Sequence, residues 1–406
     1  MFKNKLLNTL ILAGFSAMPA IAMADAPVDS SKTEAPGTGQ SPDTSGITVT
    51  GYLDLGYTSL NSTGLFVGGA PARVFDVPNA NASSNFSSVN LNQASITIAK
   101  APKEGFGGLI NAIAGQDANV FASYGAGAVV AGATNPYRNS HTVDATQAYA
   151  SYAGGALTLI AGKFTSLAGA EVIASASDTN ASRSILFGYA VPYTHTGARA
   201  TYAATDTVSL IAGVNNGWDQ VTDMNTDKTI EIGFTAAPSK IFSLAGVYYS
   251  GNELAGGVAA LPVLTSNGNR QLFNLVATLN ATEQLSFVVE YDSASQANAA
   301  LANGTTGTAK WDGLAAYVNY QFNDKWRTSL RSEYMNDKDG YKLAFVGATG
   351  QTWSESTLTL AYMPAASFEL RGEVRGDSSN QNVFLSSDGT AKSSQTSVGM
   401  EALYKF

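Results

Sequence analysis

Charged residues late in the chain recur at spacings of two and four. Arg327, Arg331 and Glu333 form one run; Glu369, Arg371, Glu373 and Arg375 form another. Guanidinium groups interleaved with carboxylates suit ion-pair ladders, or a charged lining that sorts solutes by sign. Hydrolysis would need a nucleophile, a base and an orienting carboxylate within hydrogen-bond reach. The two histidines, His141 and His195, belong to no such motif, and the chain has no cysteine. Thiolate metal sites, Cys nucleophiles and disulfides are thereby excluded. The expectation is a protein that is not an enzyme, with no catalytic residue, metal or cofactor. A net charge of −8 also argues against a nucleic-acid partner, because phosphate binding needs a basic surface.

Alternation positions these charges. Leu285, Phe287, Val289 and Tyr291 alternate with Ser286, Val288, Glu290 and Asp292, and Phe368, Leu370 and Val374 alternate with Glu369, Arg371, Glu373 and Arg375. Period two places one set on each face of a strand. Only 13% of residues are charged against 45% apolar, low for a well-solvated enzyme. Strand-like segments are joined alternately by tight links, such as 154–155, 323–325 and 364–366, and by long ones, such as 59–88, 116–142, 165–185, 294–309 and 376–393. Short periplasmic turns with long extracellular loops are the pattern of an outer-membrane barrel. The spacing predicts an all-β transmembrane antiparallel β-barrel of about 16 strands over 47–406. Pro192 inside the run 186–203 predicts one unusually long strand with a bulge or edge there.

Residues 1–24 read as a signal peptide: Lys3 and Lys5, an apolar stretch, then Ala22-Met23-Ala24. Residues 25–46, rich in Pro, Ser, Thr, Gly and Asp, read as a flexible periplasmic spacer.

In hydrocarbon every backbone polar group needs an internal partner, so spanning strands must close into a barrel. The apolar face then meets lipid. The charged face would be very costly in a dry core and belongs against water. About 16 strands leave an aqueous channel. Passive diffusion of small hydrophilic solutes and ions follows as the expected function, in the outer membrane of a Gram-negative bacterium. A substrate-selective channel for sugars or organic anions is the alternative. Aromatics fall toward the strand ends: Tyr202, Phe242, Phe322, Trp326, Tyr362 and Phe368 near short turns, Tyr57, Tyr248, Tyr291 and Tyr334 opposite. They predict two interfacial girdles.

The segments 89–100 (VNLNQASITIAK), 162–164 (GKF), 171–173 (EVI), 182–188 (SRSILFG), 192–199 (PYTHTGAR) and 214–219 (VNNGWD) occur in that order. Together they resemble the OmpL-like β-barrel porin-2 family of bacterial outer membranes, over nearly the whole of 47–406. The chain departs from it at 174–181, where Ala and Ser dominate. The resemblance implies a porin-like pore.

By analogy with 16-strand porins, the third long loop (165–185) is expected to fold inward and narrow the pore. Glu171, Asp178 and Arg183 would then reach the lumen, or else Glu171 and Arg183 would pin the loop to the wall. Lys163, His195, Arg199, Arg327, Arg331, Glu333, Glu369, Arg371, Glu373 and Arg375 complete the candidate lining. The wall charges could form a ladder that stiffens the barrel, or a basic wall facing an acidic loop. His195 fits a hydrogen-bonded wall residue better than a ligand. Phe187, Tyr189 and Tyr193 share a phase that suits an aromatic track for sugar rings, or packing beneath the third loop. The last strand ends in Tyr404 and Phe406, resembling the signal that outer-membrane barrels present to the barrel assembly machinery. The expected partners are outer-membrane lipid, that machinery and small hydrophilic solutes; a homotrimer is left open.

Overall fold

The computed structural model of the chain describes residues 46–67, 72–77, 83–121, 143–223, 225–254, 267–301, 304–343 and 350–406. The expected signal peptide, most of the expected spacer and His141 lie outside them. Sixteen strands close into one antiparallel barrel. In chain order they are β1 (Thr48–Leu60), β2 (Ser87–Lys100), β3 (Gly105–Ala114), β4 (Val143–Gly154), β5 (Leu157–Thr165), β6 (Thr194–Thr205), β7 (Val208–Asn215), β8 (Thr229–Ser239), β9 (Phe242–Leu254), β10 (Asn267–Asn280), β11 (Leu285–Ala300), β12 (Thr306–Asn323), β13 (Trp326–Asp337), β14 (Gln351–Ala365), β15 (Phe368–Ser379) and β16 (Ser394–Lys405). Each strand pairs with its sequence neighbour, and β16 returns to β1. Among the described residues no barrel strand lies between β1 and β2, which pair directly from Thr48 to Ser59.

One barrel end carries the connections 101–104, 155–156, 206–207, 240–241, 281–284, 324–325 and 366–367; the other carries the longer ones. Within each strand the apolar phase faces out. In β13, Leu330 and Tyr334 are exposed while Arg331 and Glu333 are buried. Exposed Leu, Val and Ile recur on the outer face of nearly every strand, as lipid contact demands. Tyr202, Phe322, Trp326 and Phe406 stand exposed near the short turns, Tyr248 and Tyr291 toward mid-strand, and Tyr334 nearer the other end. Trp326 and Tyr362 stack across β13 and β14 at 4.6 Å.

Two expected boundaries differ. The run 186–203 is not one strand: Ile185–Tyr189 is a short helix (α2), and β6 starts only at Thr194, leaving Pro192 in the loop. Ser184 caps that helix, its hydroxyl accepting from the Phe187 amide at 2.9 Å, which switches the backbone out of the strand conformation. The third loop is therefore 166–193. The link 294–309 shrinks to 301–305 because β11 and β12 continue to Ala300 and Thr306. The Ser, Ala and Asn residues there lack an apolar phase, and backbone pairing beyond the lipid belt needs none.

One glycine lets the last residue join the closing seam. Phe406 and Gly51 exchange two backbone hydrogen bonds, 2.8 and 2.9 Å. A Cβ on Gly51 would lie 2.6 Å from the Ser95 carbonyl oxygen and 2.5 Å from the Phe406 ring, whereas one on Gly372 would meet nothing within 4 Å. Gly51→Ala is predicted to cost roughly 1–3 kcal/mol and to lower the temperature at which the folded band converts to the unfolded one in SDS electrophoresis. Gly372→Ala is predicted to leave that temperature unchanged.

Candidate functional site

The third loop leaves β5 at Thr165 and reaches strands that lie far apart around the ring. The Leu167 amide donates to the Tyr249 hydroxyl on β9 (3.0 Å), and the Ala170 amide to Glu290 on β11 (2.9 Å). Gln93 on β2 donates to the Ile173 carbonyl (2.8 Å). The Ala181 amide donates to Glu373 on β15 (2.8 Å), and those of Ile185 and Leu186 to Glu333 on β13 (2.7 and 3.0 Å). A segment bonded to β2, β9, β11, β13 and β15 of a closed barrel runs through its interior.

Guanidinium groups bind the carbonyl side of the same loop. Arg331 donates to the Ser182 carbonyl and to Glu171, each at 2.6 Å, and pairs with Glu355 at 3.0 Å. Arg371 donates to the carbonyls of Ser175 and Asn180, each at 3.2 Å. Arg375 donates to the Arg183 carbonyl at 2.5 Å and pairs with Asp377 at 2.7 Å. Arg331, Arg371 and Arg375 expose 0%, 2% and 1% of their surface. Backbone groups in a loop have no ladder of their own, and leaving them buried and unpaired costs about 1–3 kcal/mol each. The wall supplies the missing partners as charge-assisted bonds.

Within the loop, Arg183 pairs with Asp178 and donates to the carbonyls of Val172 (2.6 Å) and Ile173 (2.7 Å). Asp178 accepts the Val172 amide at 3.0 Å. Glu171 accepts the Ser184 amide at 2.8 Å as well as Arg331. The candidates Glu171, Asp178, Arg183, Arg331, Glu333, Arg371, Glu373 and Arg375 thus meet in one network. Arg327 stands at its edge, bonded to Glu369 (2.8 Å), which Arg371 also holds (2.9 Å).

The remaining candidates lie elsewhere. Arg199 clamps Glu231 (2.5 Å), donates to the Thr165 carbonyl (3.2 Å) and covers the Phe164 ring at 4.2 Å. His195 is fully buried, stacked on Tyr249 with ring centres 4.6 Å apart, and its Nδ1 donates to the Gly217 carbonyl at 3.0 Å. Lys163, one residue out of phase with Phe164, pairs with Asp144 at 3.1 Å. Phe187 and Tyr193 pack with Phe75 and Phe121 in an apolar cluster; Tyr189 turns to Trp353. Glu231, Glu355, Asp377 and Tyr249 were not singled out from sequence. Each stands in the polar phase of its strand, as Glu355 does between Trp353 and Thr357 in WSEST.

A short helix in the second long connection, α1 (Gln116–Phe121), packs beside this network. Asp117 on it accepts from Gln93 at 2.7 Å, and burial raises its pKa from an ordinary 3.8 to about 7.

A closed antiparallel barrel with an apolar outer belt and a charged interior crossed by one loop defines an outer-membrane channel of the porin class. The chain belongs to the family described as "Putative beta-barrel porin-2, OmpL-like", which matches residues 46–406. No curated protein matches the sequence. Among solved structures, the outer membrane channel DcaP of Acinetobacter baumannii is similar, with 14% identity, a TM-score of 0.57 and coverage of 89% of this chain and 97% of that one. The anion-selective porin from Comamonas acidovorans shows 10% identity, a TM-score of 0.57 and coverage of 89% and 99%. OmpT of Vibrio cholerae, in a trimer form, shows 11% identity, a TM-score of 0.54 and coverage of 89% and 99%. The protein is thus an outer-membrane porin of Gram-negative type.

Removing Arg331 strands Glu171 and Glu355 inside the barrel. Arg331→Ala is predicted to cost roughly 3–5 kcal/mol in urea unfolding of the detergent-folded protein; a loss below about 1 kcal/mol would place the pair outside the stabilising network. Asp117 supplies a pH signature. The folded state holds its proton to about pH 7, while the unfolded chain loses it near 3.8. Stability from this group is complete below 3.8 and is lost as pH rises through 7. Asp117→Asn is predicted to flatten melting temperature against pH across that window.

Proposed function

We propose that the barrel is a passive diffusion pore for small hydrophilic solutes and ions, with the third loop as its constriction. The supporting observation is the binding of the loop's backbone to strands on several sides of the lumen. In this reading Glu171, Asp178, Arg183, Arg331, Glu333, Arg371, Glu373 and Arg375 set the position of the constriction. Arg327 and Glu369 extend the ladder toward the short turns, and Arg199 with Glu231 anchors the loop's entry. Lys163 and His195 are structural. The ion pairs lie within a few ångströms of one another, so their fields largely cancel beyond about a Debye length. This favours the ladder over a basic wall facing an acidic loop. The chain acts as a channel and not as an enzyme.

OmpT, which shares the fold, has a trimer form, and a homotrimer embedded in outer-membrane lipid is the assembly proposed here. Tyr404 and Phe406, at the end of the closing strand, would be read by the barrel assembly machinery.

Deleting residues 174–181 removes the inner part of the loop. The deletion is predicted to raise single-channel conductance in planar bilayers severalfold. An unchanged conductance would remove the loop from the constriction, and no conductance in the intact protein would remove the pore.

A further inference from the structure

The space that remains beside the loop has a different chemistry from the network that holds it. Between residues 165–177 of the loop and the inner face of β1–β4 lies a cavity of about 140 Å³. A cavity of roughly 150 Å³ holds one six-membered ring. Its wall side is made of Ser95, Thr97, Asn111, Thr146 and Gln147: hydroxyls and carboxamides without a formal charge. Asn111 donates to Ser95 (3.0 Å) and to Thr97 (2.8 Å), and Thr146 bonds to the Asn111 carbonyl oxygen. Rings of Tyr52 and Tyr193 border the same space. Among the described residues, the charged side chain on its lining is Glu171, whose carboxylate already serves Arg331 and the Ser184 amide. The arginines of β13 and β15 hold the loop from other strands and do not line this cavity.

We propose that this cavity is a site on the permeation route for uncharged, polyhydroxylated solutes of sugar size. The inference rests on the pore reading above and adds a substrate class to it. An ion entering the cavity gives up part of its hydration and, among the described residues, meets no unpaired counter-charge, so the exchange is unfavourable. A hydroxylated solute exchanges bonds to water for bonds to Ser, Thr, Asn and Gln, which is close to break-even. Each hydroxyl of the wall is both donor and acceptor, and the carboxamides supply both as well, so many hydroxyl geometries are accommodated. Aromatic faces beside polar groups suit the C–H face of a sugar ring.

The test is the purified, full-length folded protein in liposomes and planar bilayers. Glucose is expected to swell proteoliposomes severalfold faster than gluconate of similar size, and the potassium-to-chloride permeability ratio is expected to lie near one. Thr97→Lys and Gln147→Glu place a charge in the cavity from two strands. They are expected to shift that ratio severalfold toward chloride and toward potassium respectively, and either variant alone suffices if the other does not fold. A conducting channel with a strong native ion preference, or one that admits gluconate as fast as glucose, would overturn the inference while leaving the pore intact. So would folded Thr97→Lys or Gln147→Glu protein whose permeability ratio is unchanged. Absence of both conductance and swelling in the native protein would overturn the pore reading and the inference with it.

Discussion

An irregular segment inside a barrel must find partners for its own backbone. The third loop does so by binding side chains of the wall: carboxylates of Glu290, Glu333 and Glu373 take its amides, and guanidiniums of Arg331, Arg371 and Arg375 take its carbonyls. These interactions hold the chain by its main-chain atoms. The loop side chains are consequently free to be small, which explains how an Ala- and Ser-rich stretch at 174–181 keeps a defined path. The charges that look excessive for a membrane protein are mutually compensated: Arg331 with Glu171 and Glu355, Arg371 with Glu369 and Glu401, Arg375 with Asp377. Arg331, Arg371 and Arg375 are tolerable in the interior because each is paired and hydrogen-bonded.

The outer surface solves the opposite problem. Lipid accepts no hydrogen bond, so every spanning strand is paired on both sides and the ring closes between β1 and β16. Charge goes inward and apolar side chains outward because hydrocarbon and an interior crossed by a polar loop lie on either side of a wall one residue thick. The register set by closure also brings Glu171 to Arg331 across 160 residues of sequence.

Much of the architecture was legible in the sequence because it rests on period two and on alternating connection lengths. The polar phase of β13 and β15 named Arg327, Arg331, Glu333, Glu369, Arg371, Glu373 and Arg375 before any contact was known. The helix Ile185–Tyr189 was hidden because five residues are too few to display a helical period. The end of β11 was hidden because backbone pairing outside lipid leaves no apolar pattern. The partners of the charges were not legible at all: which carboxylate meets which guanidinium follows from the circumference and the register. The seat of the open cavity on β2–β4 was likewise unmarked, since Ser95, Thr97, Asn111 and Thr146 resemble ordinary polar-phase residues.

Loop and wall thus divide the lumen between a charged scaffold and a neutral opening, and both depend on the loop staying bound. Amide hydrogen exchange of the folded protein reads this most directly. The amides of Ala170, Ala181, Ser182, Ile185 and Leu186 are predicted to exchange as slowly as those in the centres of β11 and β13. Exchange at the rate of a free loop at these positions would contradict the account.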